Sequence, residues 1–112
     1  MTHRVVQPDG WPRPKGYANG VAARGTVIAV AGQVGWDATQ RMVPGGMAAQ
    51  ARQALANVVA VLRAAGAGPE HLVRMTWYVT DRAAYRAASR EIGAAFRELV
   101  GHYAIAMSAV QV

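Results

Sequence analysis

A chain of 112 residues, 53% apolar and only 16% charged, holds enough hydrophobic material for one domain with a real core and is not composed like a disordered segment. It contains no cysteine, which excludes disulfides and thiolate metal sites. Twelve basic residues against six acidic ones give a formal charge of +6, but eleven of the twelve are arginines spread singly, without a basic run or the aromatic interleaving of an RNA-reading strand.

The opening Met1-Thr2-His3-Arg4 leads into polar, proline-rich sequence rather than an apolar signal core, and no run approaches membrane-spanning length. The expectation is a cytoplasmic protein with one domain over residues 1–112, no membrane partner and no specific nucleic-acid partner.

In chain order, Arg4 to Val6 reads as a short opening strand before the turn signal Gln7-Pro8-Asp9-Gly10. Trp11-Pro12-Arg13-Pro14-Lys15-Gly16 carries prolines that no regular element tolerates, so it is a surface loop. Gly20 to Arg24 and Thr26 to Gly32 read as two antiparallel strands around a turn at Arg24-Gly25. The second of these is an apolar run rich in β-branched residues, as in a strand buried on both faces. Gly35 to Gly46 is a loop or ragged hairpin.

From Met47 to Ala65, apolar residues at helical spacing (Met47, Ala51, Leu55, Val58, Leu62) predict an amphipathic helix stopped at Gly66. Leu72 to Val79 is the next strand, with Trp77 in the core. Asp81 is a good N-cap for a second helix ending at Gly101, with Tyr85, Ala88, Ser89, Ile92, Phe96 and Leu99 on its inner face. Met107 to Val112 is a final strand.

Strand, strand, strand, helix, strand, helix, strand is an α+β pattern. Right-handed crossovers place both helices on one face of a mixed sheet. The other face then lacks cover, and each apolar side chain left wet forfeits about 1.5–3 kcal/mol. A second copy of the chain is the expected remedy, because soluble monomers rarely expose such patches.

Three stretches carry a resemblance to a known family. Tyr17-Ala18-Asn19-Gly20-Val21, Ala31-Gly32-Gln33 and the helical block Gln50-Ala51-Arg52-Gln53-Ala54-Leu55-Ala56-Asn57-Val58 resemble the Rid family, also called the YjgF or endoribonuclease L-PSP family, from about Lys15 to Val112. The resemblance implies a chorismate-mutase-like fold and a homotrimer with a pocket at each subunit interface. It also implies a hydrolase of the deaminase kind, which converts reactive enamine and imine acids to keto acids and ammonia without metal or organic cofactor. The family's last strand, bearing a late glutamate, is absent from these residues.

Carried over position by position, the resemblance implies that Tyr17, Ala31, Gly32, Tyr85, Ser89, Met107 and Ala109 bind the small-molecule ligand. Several depart from the family pattern. The carboxylate-clamping arginine is replaced by Met107, the asparagine by Ser89 and the cysteine by Ala109. Methionine offers a soft apolar chain where arginine offers a fork of charged donors.

Elsewhere, His3, His71 and His102 lack metal-ligand spacing, Ser89 and Ser108 lack a triad context, and Trp36 reads as an interface anchor or pocket wall. Three readings stay open: an imine- or enamine-directed hydrolase, a non-catalytic metabolite-binding protein, and an RNA-directed, endoribonuclease-like activity.

Overall fold

The element that frames the rest is a helix, α1, over Met47–Ala64. Alanine, glutamine, arginine and leucine fill it and glycine and proline are absent, so propensity and amphipathic pattern agree. It ends where the sequence says it should. Gly66 takes φ +78°, and the Ala67 N–H reaches back to the Leu62 carbonyl at 2.9 Å.

The structure, a computed structural model, describes residues 3–112; Met1 and Thr2 of the polar opening lie outside it. Its remaining elements are β1 (His3–Val6), β2 (Gly20–Ala23), a 3-10 turn at Pro69–His71, β3 (Arg74–Val79), α2 (Arg82–Ala87), α3 (Ser89–Leu99) and β4 (Ala106–Gln111). β3 and β4 pair in parallel, Met75 opposite Met107 and Trp77 opposite Ala109. Between them the chain crosses over through α2 and α3.

The core lies between this ladder and the helices. Leu55 of α1, Ala95 and Phe96 of α3, Val100 and the fully buried Ile105 form it. Met75, Trp77 and Met107 pack against it from the strands, and Tyr103 stacks on Phe96 at 5.3 Å between ring centroids. The alternate residues of the ladder face away. Tyr78 and Val110 stand opposite one another in the register, 70% and 42% exposed.

Three expectations need correction. First, Thr26 to Gly32 is not a strand. β2 pairs with β1 instead, His3 opposite Ala23 through Val6 opposite Gly20. Their connecting loop is clamped by Gln7, whose amide donates to the Trp11 and Pro12 carbonyls and accepts from Asn19. The stretch after β2 runs outside both ladders with its backbone open to water, which satisfies those groups without a neighbouring strand.

Second, the sheet is not continuous. Two two-stranded ladders meet through a single bridge, Ala18 with Ala106, where the Ala18 N–H donates to the Ile105 carbonyl at 2.9 Å. Third, the second helix breaks at Ala88 (φ −91°, ψ 6°), so Ser89 opens α3 and is exposed rather than on an inner face. Serine's own side chain competes for backbone groups and suits such a helix start. The bend lets Tyr85 approach Trp77, ring centroids 6.0 Å apart, while Ile92 and Phe96 stay buried.

Candidate functional site

Between the 23–35 segment, the apolar side of α1 and the free edge of β3 lies a groove of about 1150 Å³. Its floor includes Leu55, Val58 and Leu62 of α1, and Met75 and Trp77 of β3 enter from the strand. The outer wall is the unpaired segment itself.

Two fixings hold that wall. At one end it continues from the β1–β2 ladder. At the other, the Asn57 side-chain amide of α1 donates to the carbonyls of Val34 (3.1 Å) and Trp36 (2.7 Å), while Gln53 donates to the Asn57 oxygen. Gly35 is packed so tightly there that a Cβ would lie 2.9 Å from the Gln50 backbone Cα. The residues that make the helical block recognisable thus fasten the groove's wall.

Of the seven residues expected at the ligand, the structure gathers three. Ala31 and Gly32 line the groove from the segment and Tyr85 lines it from α2. Burial raises the Tyr85 pKa, which keeps the phenol protonated and a hydrogen-bond donor at neutral pH. The other four do not line this groove. Tyr17 is exposed beside Ala18, Ser89 is exposed at the start of α3, Met107 packs toward the core, and Ala109 is exposed on β4.

Sequence reading gives no site role to Arg24, Gln33 or Gln50 and cannot place Arg74 in a pocket, yet all four line the groove. Alternation along β3 puts Arg74 on the face of Thr76 and Tyr78, opposite Met75 and Trp77, and gives no reason to expect it beside the 23–35 segment. Nearby, Asp37 organises the loop before α1. Its carboxylate accepts from the Thr39 hydroxyl (2.6 Å) and from the Thr39 and Arg41 N–H groups, and these bonds, the hydroxyl's foremost, hold its pKa below the usual range.

His102 and His71 each hold backbone groups, and His71 also lines the groove. His102 Nδ1 accepts from the Ala104 N–H, leaving Nε2 to donate to the Pro69 carbonyl at 2.9 Å. His71 Nδ1 accepts from the Gly68 N–H. Among the described residues no group of three or more His, Asp or Glu is placed to hold a metal ion, and no helix is long and apolar enough to cross a membrane.

Comparison with known proteins agrees with this architecture. Residues 12–112 match the Endoribonuclease L-PSP family. A RutC family protein of Synechocystis is 34% identical over 101 residues, which cover 88% of this chain and 77% of that protein. A rat protein named 2-iminobutanoate/2-iminopropanoate deaminase is 38% identical over 83 residues, 72% of this chain but only 60% of its own length. Among solved structures, YyfB of Yersinia pestis, a Rid family protein of unknown function, superposes with a TM-score of 0.76 at 34% identity, covering 100% of this chain and 88% of that one. The chain belongs to the endoribonuclease L-PSP, or Rid/YjgF, family and has its chorismate-mutase-like α+β fold.

Proposed function

We propose that this protein assembles as a homotrimer that binds a small organic molecule beside Gly32 and Tyr85, and that it hydrolyses an imine or enamine there. The observation that carries the reading is the groove that brings Ala31, Gly32 and Tyr85 together over an apolar floor. Concave, mostly apolar surfaces with a few placed polar groups are how small-molecule sites are built. Relatives named 2-iminobutanoate/2-iminopropanoate deaminase support the reaction class. Exposed Tyr78 and Val110 on the helix-free face support assembly.

In this reading water adds to the C=N carbon and the nitrogen takes up a proton. The C–N bond then breaks, so that ammonia leaves and a carbonyl remains. Backbone groups at Gly32 and the protonated Tyr85 hydroxyl position the reacting group by hydrogen bonds. The three expected residues that line the groove, Ala31, Gly32 and Tyr85, offer no carboxylate, imidazole or thiol and act in this reading by positioning, while His71 adds an imidazole to the lining.

The apolar Met107, turned toward the core, favours a second reading in which the groove binds a metabolite without turning it over. The RNA-directed reading has only the net charge behind it, with no patterned basic surface.

The test is to generate 2-iminobutanoate in situ and follow its loss. A carboxylate without its charged partner costs on the order of 2–5 kcal/mol, so turnover should fall roughly thirty- to several-thousand-fold below an enzyme that has the clamp. Tyr85→Phe should lower it further, by about tenfold. Saturable binding with no turnover would give the protein to the second reading. Turnover untouched by Tyr85→Phe would remove Tyr85 from the site.

A further inference from the structure

A parallel ladder uses the backbone groups of alternate residues only. The Ala106 N–H donates to the Val73 carbonyl and the Val112 N–H to the Val79 carbonyl, both at 2.9 Å, so Val73, Met75, Trp77 and Val79 turn their backbone toward β4. Arg74, Thr76 and Tyr78 turn theirs the other way, toward the groove. Among the described residues their N–H and C=O groups have no hydrogen-bond partner.

The facing wall is in the same condition. From Thr26 to Val30 no backbone group is bonded to another described residue, although the run is apolar and rich in β-branched side chains. Exposed sheet edges are usually blunted by proline, lysine, a bulge or short length. β3 reads Arg74-Met75-Thr76-Trp77-Tyr78-Val79, without proline, glycine or lysine, which is the make-up of a strand with neighbours on both sides.

The groove follows β3 along its whole length, from Leu72 to Val79, over the apolar floor of Leu55, Val58 and Leu62. Its volume of about 1150 Å³ stands at or above the roughly 300–1,000 Å³ of small-molecule pockets.

We propose that the groove is a slot for an extended peptide strand, which pairs with the free edge of β3 and lays alternate apolar side chains on α1. The unpaired groups of β3 recur every second residue, the period of an extended chain, and a partner of about five to seven residues matches them. One face of that partner meets α1 and the other lies on the helix-free side, so its sequence alternates apolar and polar residues. The inference goes beyond the small-molecule reading centred on Gly32 and Tyr85 and does not depend on hydrolysis.

The probe is the uncharged heptapeptide acetyl-Ser-Val-Thr-Val-Thr-Val-Ser-amide, titrated into the full chain with amide hydrogen exchange read by NMR. It should bind, and at saturation the Thr76 and Tyr78 amides should exchange at least tenfold more slowly. The Trp77 amide, which faces β4, should be unchanged. The same peptide N-methylated at its valines keeps every side chain and loses one edge of donors, so it should bind at least tenfold more weakly.

No binding at millimolar concentration, equal binding of the N-methylated peptide, or binding that leaves the Thr76 and Tyr78 amides unprotected would each overturn the inference. Protection of those amides before any peptide is added would also overturn it, since the chain's own wall or a second copy would then fill the slot. Peptide binding without imine turnover would sink hydrolysis alone. Imine turnover without peptide binding would sink this inference alone.

Discussion

Gly35 and Asn57 do small jobs with different energetic weights. A methyl at residue 35 would overlap the Gln50 backbone, which cannot swing aside as a side chain tip can. Gly35→Ala should therefore destabilise the fold by about 1–3 kcal/mol. Asn57→Ala removes two donors from carbonyls of exposed residues, to which water has access, so its cost should be nearer 0.5–1.5 kcal/mol. Urea denaturation of both variants reads the order directly, and a larger loss for Asn57→Ala would contradict it.

Tyr85 gives a pH signature. Its folded pKa is raised because burial disfavours the phenolate. Its contribution is fully present below the unfolded value, about 10, and is lost as the pH rises through the higher folded value. Alkaline denaturation curves should thus lose part of their slope above about pH 10 in Tyr85→Phe. Identical curves would show that the phenol is not buried.

At the scale of elements, capping decides what the sequence reveals. The Asp81 carboxylate accepts from the Ala84 N–H at 3.0 Å, as its position before a helical pattern implies, and Asp81→Ala should cost about 1 kcal/mol in thermal or urea unfolding. No loss at all would mean that α2 is held by packing alone.

α1, β3 and β4 were legible for the same kind of reason, since periodicity and core-facing residues agree in each and Gly66 stops α1. Thr26 to Gly32 was legible only as apolar and β-branched. Such a run says that both faces want cover, but not which backbone supplies it, and β2 took β1 as its partner. The site was legible in part for a related reason. Gly32 and Tyr85 follow from position in the family pattern, whereas Arg74 enters the groove only because the segment beside it stands clear of the ladder. Met107, expected at the ligand from the family resemblance alone, packs with Met75 against the core cluster, as a methionine on an apolar strand does by default.

For the whole molecule, the unanswered demand is for apolar cover. Val27 is 89% exposed on the groove's outer wall, and Tyr78 and Val110 lie bare on the helix-free face of the β3–β4 ladder. Each large side chain returned to an apolar contact is worth about 1.5–3 kcal/mol, so burying a few of them favours association strongly enough to offset part of its entropic cost.

In the proposed trimer these surfaces would join the site: copies of the chain would cover the helix-free face and close the open side of the ligand groove. Sedimentation velocity on the purified protein at micromolar concentration tests that most directly. The account predicts a trimer, dissociated in parallel with loss of ligand binding by Val110→Lys, which changes the helix-free face outside the groove; a well-folded monomer that binds its ligand would contradict it.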